Sequence, residues 1–167
     1  SLGRFTFIRV LVPGTVTSFR CGGLSVALQT FRLLSRLRPT QVVTYRQREP
    51  DHPFLDDLVQ QDKSPEEVLW LVSWGFDVPL LLRRLKGRPV IYQAHSSGYG
   101  FDLPAGVPVL AVSRNTMGYW GDRAPRNPLF FLPNALEPQW LERGARHLAQ
   151  DSRSIDVLVQ RRKSSDY

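Results

Sequence analysis

The chain has 167 residues and a net charge of +7, a length that fits one domain with the beginning of a second. Its single cysteine, Cys21, excludes an intramolecular disulfide and a multi-cysteine metal site, and its three histidines lack metal-ligand spacing. No apolar run approaches the ~20 residues of a membrane span, and residues 1–9 lack the pattern of a signal peptide, so we expect a cytoplasmic protein cut or processed from something larger.

Basic charge is concentrated in the first part of the chain. Residues 1–50 hold eight arginines against one acid, Glu49. Such a segment can attract nucleic acid, anionic lipid or phosphorylated substrates. A general preference for arginine over lysine would produce the same composition on an ordinary solvated surface. The charge alone therefore leaves the partner open.

The first half of the chain predicts strands and helices in alternation. An apolar run over residues 5–12 predicts a buried strand, and a helix begins at Gly22-Gly23 and stops before Pro39. Residues 41–45 predict a second strand and 54–60 a short helix. The run over 68–73 predicts a third strand.

The second half continues the same alternation. A leucine-rich helix over 80–85 leads to a fourth strand over 89–94 and a fifth over 107–113. A short helix over 115–121 and a sixth strand over 128–133 follow. The remaining predicted elements are an exposed helix over 137–150 and a strand over 155–159. Trp120 and Trp140 are expected to be partly exposed.

Continuous apolar strands separated by helices predict a Rossmann-like three-layer α/β/α fold with a mostly parallel sheet of about six strands. We assign this domain to residues 1–150. The strand over 155–159 is followed by too few residues for a covering helix, so residues 151–167 are expected to be a linker and the first strand of a further domain.

Ligands of open parallel sheets bind at the carboxyl ends of the strands. Gly22 and Gly23 open a helix there, where free N–H groups and the positive end of the dipole suit a phosphate or a sugar hydroxyl. A tight turn with close packing is the alternative interpretation. The fingerprint G-x-G-x-x-G is absent, which disfavours a nicotinamide enzyme.

His95 ends the fourth predicted strand and precedes a loop rich in serine and glycine. A histidine in this position can donate to a substrate oxygen or move a proton, and the alternative is a cap on local backbone groups. Ser113 lacks the Gly-x-Ser-x-Gly turn of a hydrolase nucleophile. Cys21, beside Arg20 at a helix start, is interpreted as structural.

Four short motifs occur in a characteristic order and carry a family resemblance. They are Gly22-Gly23-Leu24-Ser25, Tyr92-Gln93-Ala94-His95, Val109-Leu110-Ala111-Val112-Ser113-Arg114 and Phe131-Leu132-Pro133-Asn134-Ala135. In order and spacing, the chain resembles the N-terminal, acceptor-side domain of GT-B glycosyltransferases, most closely the retaining branch with rhamnosyl and mannosyl transferases. Ala135 departs from the glycine that usually follows Pro-Asn in that family.

The resemblance implies transfer of a sugar from a nucleotide-sugar donor to a hydroxyl acceptor, such as a glycan or a lipid-linked saccharide. It implies that His95 is the catalytic residue in contact with the donor sugar and that Gly22 and Gly23 lie near the diphosphate. The other substrate-binding residues that we expect are Ser96, Ser97, Gly98, Tyr99, Ser113, Arg114 and Asn134. No metal and no cofactor besides the donor is implied, and the chain alone is expected to be inactive without the donor-binding domain.

The basic residues 1–48 are expected to allow peripheral contact with the inner face of the membrane. The main alternative is a non-catalytic Rossmann-like module that binds a phosphorylated small molecule or a sugar. A nucleic-acid-binding domain would show steep salt dependence, but no known binding motif supports it and no nucleic acid is expected. A hydride-transferring enzyme comes last.

Overall fold

The computed structural model describes residues 5–73, 75–134 and 138–148, apart from the side chains of residues 147 and 148. The chain divides into two compact units, Ser1–Ala135 and Leu136–Tyr167. The first unit contains the sheet and the candidate site.

The elements of the first unit follow the predicted alternation. Its strands are β1 (Phe7–Val12), β2 (Thr40–Thr44), β3 (Val68–Val72), β4 (Val90–Ala94), β5 (Val109–Ala111) and β6 (Leu129–Phe131). Its helices are α1 (Gly22–Leu34), α2 (Leu55–Gln61), α3 (Val78–Arg84) and α4 (Arg114–Arg123). Short 3-10 turns precede α1, β3 and α3.

The six strands form one sheet in the order β2-β1-β3-β4-β5-β6, and every neighbouring pair is parallel. The predicted α/β class is confirmed, and the sheet is wholly parallel where we expected a mostly parallel one. Strand β1 lies in the interior of the sheet and pairs with both β2 and β3.

Apolar side chains alternate between the two faces of the sheet and form a separate core on each. On one face, Leu24 and Ala27 of α1 pack against Val10 and Val12 of β1. The opposite core joins the strands to three helices. Its largest fully buried side chains are Leu11, Leu55, Trp70, Leu81, Tyr92 and Trp120. The expectation of a partly exposed Trp120 is wrong, because its ring is 1% exposed among Tyr92, Phe101 and Tyr119.

Part of the basic charge is paired with acidic side chains of the same domain. Arg9 donates to both carboxylate oxygens of Asp62 at 2.8 Å, and its guanidinium lies 4.9 Å from the centroid of the Trp70 ring. Arg46 pairs with Asp77 at 2.7 Å, and Arg48 pairs with Asp57. Only the Arg9 pair is buried, so of these three arginines Arg9 is the one expected to stabilise the domain appreciably.

The two last strands differ from their predicted form. The strand predicted over 107–113 is limited to Val109–Ala111, because Ser113 caps α4. Strand β6 lies at the edge of the sheet, so Phe130 and Phe131 are about half exposed although an apolar run predicts burial.

In the second unit, helix α5 (Pro138–Leu148) agrees with the predicted exposed helix. Trp140 and Leu141 are largely exposed, and the Arg143 guanidinium lies 5.1 Å from the Trp140 ring centroid. The predicted linker and strand within 151–167 lie outside the described residues. Where the chain is described, we find no helix with the length and apolar character needed to cross a membrane.

Candidate functional site

The direction of winding reverses at β1, and this fixes where a ligand can enter. The connection from β1 to β2 runs through α1 on one face, while the connections through α2, α3 and α4 pack on the other face. Right-handed crossovers require this change of face when the strand order turns back. In open parallel sheets ligands bind where the winding reverses, which here is the carboxyl edge of the sheet between β1 and β3.

The loop after β1 is held in shape by Glu49, which lies in the loop after β2. The Glu49 carboxylate accepts hydrogen bonds from the backbone N–H groups of Thr15 (2.7 Å) and Val16 (3.4 Å) and from the Thr15 hydroxyl. Burial alone would raise the pKa of Glu49, but these hydrogen bonds hold it below its usual value. A methyl group on Gly14 would lie 2.6 Å from the Phe19 ring and 2.8 Å from Glu49 Oε1, so this turn requires glycine.

Helix α1 begins at this loop, as the Gly22-Gly23 pair predicts. The Cys21 thiol sulfur accepts a hydrogen bond from the Leu24 N–H at 3.4 Å, which gives Cys21 the structural role expected of it. Gly22 is exposed, its φ is not positive, and a Cβ there would have no neighbour within 4 Å. The alternative interpretation, close packing that demands glycine, does not apply at Gly22.

Three polar side chains lie at the carboxyl ends of β3 and β4, on the face that carries α1. Leu71 pairs with Ile91 in the register of these strands, and extending that register by two residues brings Ser73 beside Gln93. Both are buried, with 5% and 3% exposure, and alternation continues the row to His95. Within the described part of the chain, Ser73 Oγ, Gln93 Oε1 and His95 Nε2 have no hydrogen-bond partner. We call these three residues the polar row.

His95 is kept neutral by its surroundings. Burial lowers the pKa of its imidazole, and a neutral imidazole offers one nitrogen as a donor and the other as an acceptor. Nε2 of His95 has no hydrogen-bond partner among the described residues. The ring is therefore suited to exchange a hydrogen bond with a hydroxyl group.

The loop after β4 brings several predicted site residues together. Ser96, Ser97 and Tyr99 are half-buried, and Gly98 has a φ of 88°, a conformation that favours glycine. Tyr99 packs against the turn after β3, because a methyl group on Gly75 would lie 2.9 Å from its ring. The carboxyl ends of β3 and β4 thus share one small surface.

The remaining predicted residues occupy the carboxyl ends of β5 and β6. Ser113 caps α4: its Oγ accepts from the Thr116 N–H at 3.1 Å and lies 2.9 Å from Thr116 Oγ1. Arg114 and Asn134 are exposed. In the ranges that the structure covers, no hydrogen bond or ion pair connects these three residues to the loop after β4.

Comparison with models of protein families, with curated proteins and with solved structures finds no match for this chain. Among residues 5–73, 75–134 and 138–148, no group of three His, Cys, Asp or Glu side chains is arranged to hold a metal ion.

Sequence reasoning missed two members of the polar row and the residue that shapes the loop after β1. In the sequence-based prediction, Gln93 lies inside the strand over 89–94 and Ser73 at the end of the strand over 68–73, and neither has a role in binding. The available signal was a polar side chain within a run that is otherwise buried, since such groups normally have a partner. Glu49 lies 34 residues from Thr15, and no local sequence pattern predicts the hydrogen bonds between them.

Proposed function

We propose that this chain is the acceptor-side domain of a glycosyltransferase that moves a sugar from a nucleotide-sugar donor to a hydroxyl acceptor. The polar row is the observation that carries the proposal. A buried polar group without a partner costs about 1–3 kcal/mol. Other such groups, among them Trp70 Nε1, Trp120 Nε1 and the Tyr92 hydroxyl, lie in the opposite core, so what distinguishes the polar row is its position at the carboxyl ends of the strands, where ligands of open parallel sheets bind.

The chemistry of the polar row favours a ligand with hydroxyl groups. Gln93 Oε1 accepts hydrogen bonds and cannot donate, so its partner must be a donor. A fully ionised phosphate has no donor, whereas a sugar hydroxyl both donates and accepts. In the described structure Ser73 Oγ and His95 Nε2 are covered, so in our proposal the side chains at this edge move apart when such a hydroxyl group binds.

The N-terminus of α1 favours an anionic ligand, in contrast to the hydroxyl groups that the polar row favours. Its first N–H groups and the positive end of its dipole favour an anion at Gly22 and Gly23. Gly22 has room for a ligand to approach the backbone, because no atom lies within 4 Å of the position of a Cβ. One edge of the sheet thus combines a preference for hydroxyl groups with a preference for a diphosphate, as a nucleotide sugar requires.

Glycosyl transfer builds positive charge on the sugar ring while negative charge moves to the leaving diphosphate. Preorganised dipoles aimed at such charges lower the barrier. In our proposal the N-terminus of α1 stabilises the diphosphate. His95 orients a hydroxyl of the donor sugar, and because burial lowers its pKa it adds no positive charge beside the sugar. The nucleotide would be bound by a further domain.

The test uses the protein encoded by the entire reading frame that contains this chain. Release of nucleoside diphosphate is measured with UDP-, GDP- and dTDP-linked sugars. We expect turnover with one donor class and a decrease of roughly 100-fold in His95→Ala. Tyr92→Phe is the matched control, because it removes a buried hydroxyl without a partner from the same strand on the opposite face.

Two results would contradict the proposal. One is a folded protein that releases no nucleoside diphosphate from any donor. The other is an equal loss of turnover in His95→Ala and Tyr92→Phe. Binding of a sugar phosphate without turnover would instead support the alternative of a non-catalytic binding module.

A further inference from the structure

The loop after β1 binds a negatively charged group that comes from another part of the same chain. The Glu49 carboxylate, from the loop after β2, lies on residues 14–16, which we call the anion loop. Its Oε1 accepts from two successive backbone N–H groups, those of Thr15 (2.7 Å) and Val16 (3.4 Å), and its Oε2 accepts from the Thr15 hydroxyl. Successive N–H groups that point at one atom form a concavity that binds anions.

Gly14 allows the carboxylate to approach the backbone closely. A Cβ at this position would lie 2.8 Å from Glu49 Oε1 and 2.6 Å from the Phe19 ring. The bound oxygen therefore lies against the main chain with no side chain between them. Glycine-rich loops that bind phosphate use the same close approach to the backbone.

The anion loop lies at the carboxyl end of β1, where the winding of the sheet reverses. The loop after β2 is fastened to this end, because the N–H groups of Arg46 and Gln47 donate to the Pro13 carbonyl at 3.1 and 3.2 Å. These bonds fix the backbone near Glu49 independently of its side chain. The carboxylate can therefore turn away while both loops stay in place.

Water can reach both partners of this contact. Glu49 and Thr15 are half-buried, and Val16 is 38% exposed. A carboxylate that leaves the loop is solvated by water, whereas the N–H groups that it leaves need another acceptor. A phosphoryl group supplies several acceptor oxygens and carries more negative charge than a carboxylate.

We propose that the anion loop is a binding site for a phosphoryl group and that Glu49 occupies it until a phosphorylated ligand displaces the carboxylate. The ligand oxygens then accept the three hydrogen bonds, and the Glu49 side chain moves into water. Because the ligand must displace an internal anion, Glu49 lowers the apparent affinity of the loop. The inference goes beyond the proposed function, since it holds equally for a module that transfers no sugar.

The test measures binding of inorganic phosphate and pyrophosphate to the complete protein by isothermal calorimetry. Glu49→Gln keeps the length of the side chain and an oxygen that accepts from the N–H groups, but it removes the charge. Hydrogen bonds to a charged acceptor are roughly twice as strong as those to a neutral one, so we expect the Kd in Glu49→Gln to fall at least about fivefold. The amide resonances of Thr15 and Val16 should shift when pyrophosphate is added.

Thr15→Val removes the hydroxyl donor and should raise the Kd at least about fivefold. Its matched control is Thr17→Val, the same substitution in the 3-10 turn Thr17–Phe19, which should leave the Kd unchanged. Thr15→Val retains both N–H bonds to Glu49, so it keeps the inference testable even where Glu49→Gln does not fold.

A purely structural Glu49 predicts the opposite sign, because Glu49→Gln would then loosen the loop and weaken phosphate binding. That result, or an unchanged Kd, would overturn the inference, and so would equal effects of Thr15→Val and Thr17→Val. A protein that binds phosphate at the anion loop but releases no nucleoside diphosphate from any donor would contradict the proposed function alone.

Discussion

A single nitrogen of Arg9, Nη1, donates to both oxygens of the Asp62 carboxylate, with each distance 2.8 Å. Both side chains are about nine-tenths buried, and Arg88 lies on the other side of the carboxylate at 3.8 Å. A buried charge that loses its partner is far more costly than an exposed one.

We therefore expect Asp62→Asn to lower the free energy of unfolding by about 3–5 kcal/mol, because it leaves the Arg9 charge buried without its carboxylate. Urea denaturation followed by circular dichroism measures the change. Asp57→Asn breaks the exposed pair with Arg48 and should leave the denaturation midpoint near that of the wild type. Equal midpoints for the two variants would show that the Arg9–Asp62 pair is not buried in solution.

The two glycines of the first loop and helix should respond differently to the same substitution. Gly14→Ala forces a methyl group onto the Phe19 ring and Glu49, and should cost about 1–3 kcal/mol of stability. Gly22→Ala has open space and should leave stability unchanged or raise it by less than about 1 kcal/mol. Thermal unfolding compares the two variants.

Nucleoside diphosphate binding should be affected at Gly22, the glycine whose substitution is not expected to lower stability. If a diphosphate approaches the α1 backbone at Gly22, Gly22→Ala weakens nucleoside diphosphate binding although the fold is intact. Isothermal calorimetry with UDP and GDP on the complete protein measures this. Unchanged affinity in Gly22→Ala would remove Gly22 from the proposed diphosphate site.

The unpartnered groups of the polar row should lower the stability of the fold, so replacing them with apolar side chains should raise the free energy of unfolding or leave it unchanged. Ser73→Ala and Gln93→Met remove buried groups without partners, and each should raise the free energy of unfolding by about 1 kcal/mol or leave it unchanged. Tyr92→Phe should do the same on the opposite face. Only the first two should weaken sugar binding. A loss of more than about 1 kcal/mol in Gln93→Met would mean that its amide is hydrogen-bonded in solution.

The low pKa of His95 makes stability depend on pH. Burial lowers the pKa in the folded state, so the unfolded chain, with a histidine pKa near 6.5, binds this proton first as pH falls. The free energy of unfolding should therefore fall as the pH decreases through about 6.5. Comparing wild type with His95→Phe by urea denaturation at about pH 7.5 and 5.5 isolates the effect from that of the carboxylates.

We expect the wild type to lose more stability than His95→Phe between those two pH values. An identical decrease in both proteins would show that the imidazole is exposed to solvent in the folded state.

The layers of the fold could be predicted because their signals are local. Continuous apolar runs such as Val68–Val72 identified the strands, and the Gly22-Gly23 pair marked the start of α1. Edge position is not local, so the exposure of Phe130 was missed. The burial of Trp120 was also missed, because it depends on Tyr92 and Phe101 in other elements.

The site was predicted in part, for the same reason. His95 was found because it directly ends an apolar run, and the serines and glycines beside it mark a loop. Gln93 and Ser73 can be identified as candidate site residues only from the pairing of β3 with β4, which places them side by side. The contacts of Glu49 with Thr15 and of Asp77 with Tyr45 join residues more than thirty apart, a distance over which sequence patterns carry no information.

The interior position of β1 has a consequence for how the domain folds. The hydrogen bond between Thr6 and Glu67, at the start of the β1–β3 pairing, joins residues 61 apart in the chain. Closing so long a loop costs more conformational entropy than closing the short loop that brings β3 beside β4. The pairing of β3 with β4 is thus expected to form before that of β1 with β3. The carboxyl edge between β1 and β3, where a ligand is expected to bind, would then be completed after the β3–β4 pairing.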